Sequence, residues 1–327
     1  MLIRSSMSTS RLLFSILVLL LLIFSACYEI QPPNNDIEQN RPYIKILGTI
    51  QDAGYPQIGC MKACCREKWA ETMQKKMITC LGLIDPKHRH TFMFEASPDF
   101  KMQSKLLSDC INKDSFSLPD ALLLSHAHMG HYVGLMHLGR EAMNASAQKV
   151  YAMPGMIDYL QNNGPWSLLD SLKNVVYVPL KADSLFVLNP RLSIEALLVP
   201  HRGEFSETVG FRIHSDQKKV LFIPDIDKWH LWDRDILEEI KKVDYALLDA
   251  TFYKNGEVGN RDMSEIPHPF MEESMALFSA LDSSNRAKIH FIHFNHSNPV
   301  LNPDSSALSA IKQQGYHLAV EGMDIEL

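Results

Sequence analysis

Three imidazoles packed directly behind an apolar run constrain this chain more than any other feature. Ser125-His126-Ala127-His128-Met129-Gly130-His131 follows Ala121-Leu122-Leu123-Leu124, which reads as a buried strand. The histidines therefore stand at a strand's carboxyl end, where open α/β folds place their ligand crevice. Neutral imidazole nitrogens are preferred ligands of zinc and other first-row metals. Chance clustering is the competing explanation, since the chain carries 14 histidines in 327 residues. Scatter of that kind accounts for His88, His90, His137, His214, His230, His290 and His317, read as packed or surface residues. It does not account for three in one heptapeptide behind a strand, so His126, His128 and His131 are read as metal ligands.

One turn cannot surround a cation, so further donors are expected at the ends of later strands. Strand-like runs fall at 43–47, 92–94, 121–124, 175–178, 192–199, 220–223, 245–248 and 289–293, alternating with helical stretches at 101–107, 156–160, 236–240, 271–281 and 305–313. That pattern predicts a mixed α/β fold rich in sheet, as a two-sheet sandwich flanked by helices, with one domain over 42–327. Donors do follow these runs: Val199-Pro200-His201-Arg202, Phe222-Ile223-Pro224-Asp225, Leu247-Leu248-Asp249-Ala250-Thr251 and Phe291-Ile292-His293-Phe294-Asn295-His296. His268, in Ile266-Pro267-His268-Pro269, precedes a helix. His293 is preferred to His296 as a ligand because it follows its strand directly, and His296 is kept as a candidate extra ligand.

The first 27 residues have a different logic. Arg4 and Arg11 precede an apolar segment, 12–24, and then Phe24-Ser25-Ala26-Cys27. Basic, apolar and small-residue regions in that order form a secretory signal, and the segment falls short of the ~20 apolar residues of a membrane span. Its end resembles a bacterial lipobox in which Cys27 is lipidated, a plain N-terminal anchor being the alternative. Residues 28–41, with Pro32-Pro33 and Asn34-Asn35, read as a flexible tether. The expected location is the cell envelope, held to a membrane by the N-terminal lipid. Net charge is −6 and no basic run interleaved with aromatics occurs, which excludes a general nucleic-acid binder and leaves a small-molecule substrate.

The strand-end pattern resembles the metallo-β-lactamase superfamily, whose motif HxHxDH is matched by His126, His128 and His131, with Gly130 where the family has aspartate. The resemblance implies a four-layer αββα sandwich. It also implies that His126, His128 and His201 hold one metal, His131 and His293 a second, and that Asp225 bridges them. Zinc is the expected ion, one or two per site, with iron and manganese as alternatives. Without a carboxylate at 130, the second position is expected to hold its cation less tightly, unless Asp249 or His296 takes over. The order of Asp249-Ala250-Thr251 and His268 resembles the ribonuclease Z and phosphodiesterase branch, which implies Asp249 as orienter and His268 as general acid. Further segments resemble pyrroloquinoline quinone biosynthesis protein B and its relatives. These are Gly48-Thr49 with 52–57, Ser125 to Gly134, Pro200-His201-Arg202 with 207–211, 224–229, and Asn295 to Pro299.

Of the six cysteines, Cys27 is assigned to lipid, and five cannot all pair internally. Cys60, Cys64 and Cys65 cluster, with Cys80 and Cys110 further on. Some phosphodiesterase relatives carry a cysteine-rich zinc clip in this region, which makes Cys60, Cys64, Cys65 and Cys80 candidates for a structural zinc. An exported domain also permits disulfides, and packed free thiols are the third alternative. Three functions follow. The first is a metal-dependent hydrolase using metal-bound hydroxide on a small ester-like substrate, a phosphodiester foremost. The second is non-hydrolytic oxygen or redox chemistry in quinone-cofactor biosynthesis, and the third an inactive envelope binding module.

Overall fold

Burial along the strands decides the layering. In β2 (Cys80–Asp85) every side chain is buried, so the strand is covered on both faces. Leu81 and Leu83 enter one apolar cluster, whereas Cys80 and Ile84 enter another. β10 (Lys219–Ile223) divides in the same way: Val220 and Phe222 join the cluster that holds Leu81, and Leu221 and Ile223 join a third. The shared cluster is the filling between two sheets, where the Phe94 ring meets Phe211 and Phe222 edge-on at 5.2 and 6.1 Å. The other two clusters lie under helices on the outer faces, including Phe100–Asp109 on one side and Met271–Phe278 on the other. The result is the four-layer αββα sandwich.

These features come from a computed structural model describing residues 40–70, 76–111, 114–258, 262–263 and 266–327. The expected signal peptide with Cys27, and nearly all of the tether, lie outside the described residues. Among the described residues no helix is long and apolar enough to cross a membrane. Residues Arg41–Leu327 form one unit.

Each sheet has seven strands. In the first the order is β14 (Asp324–Glu326), β1 (Tyr43–Gly48), β2, β3 (His90–Phe94), β4 (Ala121–Leu123), β5 (Gln148–Ala152), β6 (Val175–Pro179). In the second it is β13 (His317–Leu318), β12 (Ile289–Ile292), β11 (Tyr245–Asp249), β10, β9 (Val209–His214), β8 (Leu192–Leu198), β7 (Leu185–Asn189). Strands β3 to β6 pair in parallel, as do β10 to β13. Their carboxyl ends therefore share one edge of each sheet, and the donors that follow them gather at that edge.

Candidate metal centre

Five strands deliver the expected donors. His126 and His128 follow β4, and a single helical turn, Met129–Tyr132, carries His131 back toward them. His201 follows β8, Asp225 follows β10, Asp249 ends β11, and His293 is the first residue past β12. His293 and Glu95, the residue after β3, both adopt left-handed backbone, at φ 69° and 74°. Non-glycine residues in that region are costly and concentrate at functional sites.

Asp225 is the hub. Its Oδ2 lies 3.3 Å from His201 Nε2, 3.6 Å from His126 Nε2, 3.8 Å from His131 Nε2 and 4.0 Å from His128 Nδ1. His126, His128, His201 and Asp225 thus form one donor group, and Asp225 with His131 and His293 belongs to a second. Three of the rings are held from behind by a hydrogen bond at Nδ1. Nδ1 of His126 meets Ser125 Oγ at 2.8 Å, that of His201 meets Asp227 at 2.9 Å, and that of His293 meets Thr251 Oγ1 at 2.9 Å. Glu95 stands 3.5 Å from His131 Nδ1. Partners at Nδ1 turn the Nε2 lone pairs inward, the outer arrangement that metal-binding histidines use. His128 is reversed, with Nδ1 inward and Nε2 3.5 Å from Glu204.

The donor chemistry fits a cation. Burial first, and then His131, holds His126 well below the ordinary imidazole range. Its Nε2 is buried without a hydrogen-bond partner. A neutral, unpartnered nitrogen aimed at a carboxylate oxygen and three other imidazoles is what a dication would satisfy.

His268 closes the site on the side of the second sheet. Its Nδ1 lies 2.9 Å from Asp249 Oδ2 and 3.1 Å from Asp225 Oδ1. Asp249 is itself held by the Ile226 and Thr251 amides and the Thr251 hydroxyl. Burial alone would lower His268, but the Asp249 and Asp225 carboxylates override it and keep the ring well above the ordinary imidazole range. Phe252, Met263, Ile266 and Phe270 form an apolar cluster of their own beside it, with the Phe252 ring 6.1 Å from that of His268.

Sequence reasoning missed Asp52. It lies past the end of β1, with Oδ1 3.1 Å from His131 Nε2 and 3.3 Å from His293 Nε2. Asp52 thus brings a carboxylate beside the two imidazoles of the second group, on whose turn Gly130 has none. Asp249 has its oxygens on Ile226, Thr251 and His268, and His296 belongs to a different donor group.

His296 joins Cys60, Cys64 and Cys65, their donor atoms all within 4.8 Å of one another. It replaces Cys80 as fourth member of that group. Cys80 is fully buried in β2 with its sulfur near the Glu95 carbonyl, under the helices of the first sheet. The five described cysteines are all unbonded, Cys60 and Cys64 having their sulfurs 3.8 Å apart. The two centres share their framework. Residues 49–52 run beside 293–295 through Phe294 N to Thr49 O and Gln51 N to Phe294 O, both 2.9 Å.

The family model described as "Beta-lactamase superfamily domain" matches residues 90–294. The chain belongs to the beta-lactamase superfamily. Within that superfamily it is 24% identical over 306 residues to Coenzyme PQQ synthesis protein B of Methylorubrum extorquens (strain PA1), a match covering 87% of this chain and all of that protein. The protein of the same name from Acinetobacter baumannii (strain SDF) is 26% identical over 317 residues, with the same coverage. Among solved structures, Zn(2+)-bound PqqB from Methylobacterium extorquens superposes with a TM-score of 0.73 at 22% identity, covering 87% of this chain and all of the other. A diphosphatase of the PhnP family gives 0.61 at 18% identity, covering 88% and 97%. Human tRNase Z, short form, gives 0.54 at 14%, covering 87% and 98%. These structures share the fold.

Proposed function

We propose that the chain is a metal-dependent phosphodiester hydrolase of the beta-lactamase superfamily. One observation carries the reading: the carboxylate at the centre of the imidazoles, Asp225, is also within 3.1 Å of a buried histidine whose Nδ1 is held by a second carboxylate. His126, His128, His201 and Asp225 would hold one cation, and His131, His293 and Asp225 a second. Zinc suits this donor set, and a cation pair supplies Lewis-acid polarisation of the phosphoryl group and an activated water. Asp249 fixes His268 through Nδ1, so Nε2 carries the proton for the leaving alkoxide. The apolar cluster beside His268 keeps bulk water from competing for that proton.

The test is turnover of bis(4-nitrophenyl) phosphate and a lactone by the zinc- or manganese-loaded protein. Phosphodiester cleavage that chelation abolishes is expected, while hydrolysis of the lactone alone would reject the substrate class. A second reading is non-hydrolytic oxygen chemistry on a quinone precursor with iron at the same imidazoles. Its support is the likeness to the Coenzyme PQQ synthesis proteins along nearly their whole length, and iron accepts the same ligands. Oxygen uptake by the iron-loaded protein with no phosphodiester turnover would favour it.

We also infer a structural zinc at Cys60, Cys64, Cys65 and His296, since three thiols and an imidazole form a closed tetrahedral set. Cys64→Ser is expected to lose that ion and lower Tm by roughly 5–10 °C, from the linkage of ~3–4 kcal/mol that a tightly bound ion contributes. Metal analysis of the variant with a thermal scan checks both. Unchanged metal and Tm would reject the clip. At the N-terminus we infer lipid on Cys27, with the protein anchored to a membrane of the cell envelope. Cys27→Ser should move it from the membrane to the soluble fraction or leave the signal uncleaved, and an unmodified Cys27 in the wild type by mass spectrometry would contradict this.

A further inference from the structure

We propose that Asp52 is the carboxylate ligand of the second cation, relocated there from position 130. This rests on the two-cation reading of the centre. The family motif puts its aspartate between His128 and His131, on the same turn as His131. Here that position is Gly130, and the missing carboxylate comes from a different segment, past the end of β1.

The two positions occupy the same space. A Cβ on Gly130 would stand 2.4 Å from Asp52 Cγ and 2.6 Å from both its Cα and its Cβ. Atoms do not approach so closely, so a side chain at 130 and Asp52 in its present place exclude each other. Gly130 is in ordinary helical surroundings within Met129–Tyr132 and is absent from the left-handed glycines, so backbone conformation does not require glycine. The close approach of Asp52 does.

The carboxylate arrives where the motif's aspartate would have served. Asp52 Oδ1 lies within 3.3 Å of both His131 Nε2 and His293 Nε2, and its donor atom groups with Asp225 on the same side. Two imidazoles and two carboxylates complete a four-donor set. That set equals in number the His126, His128, His201 and Asp225 set, and it carries one more negative charge. Its loop is tied at Gln51 to Phe294, the neighbour of His293, and turns back at Gly54 N to Gln51 O, 3.0 Å. The segments that carry Asp52 and His293 are therefore hydrogen-bonded to each other.

Calorimetric titration of the metal-free protein with zinc, counted by elemental analysis, tests the assignment in two variants. Asp52→Asn keeps the shape of the residue and removes its charge. Gly130→Ala alters no donor and displaces Asp52 by its Cβ alone. In both, the binding event of the second position is expected to weaken by more than about 100-fold, beyond the 10–100-fold that loss of an outer partner costs. The event at His126, His128 and His201 should hold. A loss of only about 10–100-fold would mark Asp52 as an outer partner of His131 and overturn the proposal. So would two unchanged events in either folded variant. A wild type that takes up no zinc at the centre would contradict the two-cation reading itself, a result distinct from either.

Discussion

His268→Ala is expected to keep the full metal content of the centre and to lose roughly 10²–10⁴-fold in turnover, the usual contribution of a positioned proton donor. The geometry separates the two effects. His268 Nδ1 faces Asp249 and Asp225; it groups with those two carboxylates, while the sets of His126, His128, His201 and Asp225 and of Asp52, His131, Asp225 and His293 do not include it. Asp249→Asn should reproduce most of the loss, since an amide cannot hold the ring's charged form as a carboxylate does, and it should also disturb Thr251, which orients His293. The loss should shrink for substrates whose leaving group needs no proton, such as 4-nitrophenolate, compared with an alkyl alcohol. Steady-state kinetics on the two leaving groups with parallel metal analysis measures both. Loss of metal together with turnover in His268→Ala would make it a ligand instead.

Asp225→Asn is expected to act on both cation positions at once. Its Oδ2 lies within 4.0 Å of four imidazole nitrogens, and its Oδ1 faces His268. Removing its charge leaves one donor group with three imidazoles and no carboxylate and strips the other of its shared carboxylate. Both binding events should weaken by more than about 100-fold, as for a direct ligand, and turnover should fall below that of His268→Ala because metal and acid are lost together. The contrast with Asp52→Asn, which should spare one event, is visible in a single zinc titration. A variant that keeps either event intact would show that Asp225 does not bridge.

The donors legible in the sequence share one property: each follows an apolar strand-like run. His126 and His128 after β4, His201 after β8, Asp225 after β10 and His293 after β12 could be placed because parallel strands end on one edge. Asp52 follows a strand too, but three residues separate it from Gly48, and it carries no neighbouring donor to mark it. The one signal was negative: glycine at 130 implied a carboxylate from elsewhere. Cys80 is the next cysteine along the chain after Cys65, yet it sits in β2 under the first sheet's helices. His296 is three residues past His293, and the left-handed turn at His293 sends the two side chains to different centres. Strand pairing was equally hidden, since β1 pairs with β14, Ile44 opposite Ile325, and alternation of apolar residues says which faces are buried but not which strand lies beside which.

The most direct measurement is anomalous diffraction at the zinc edge from crystals of the zinc-loaded protein. Two peaks are expected about 3.5–4 Å apart, one among His126, His128 and His201 and the other between His131 and His293, with the Asp225 carboxylate between them. Crystals equilibrated with zinc that show no peak among these imidazoles would contradict this.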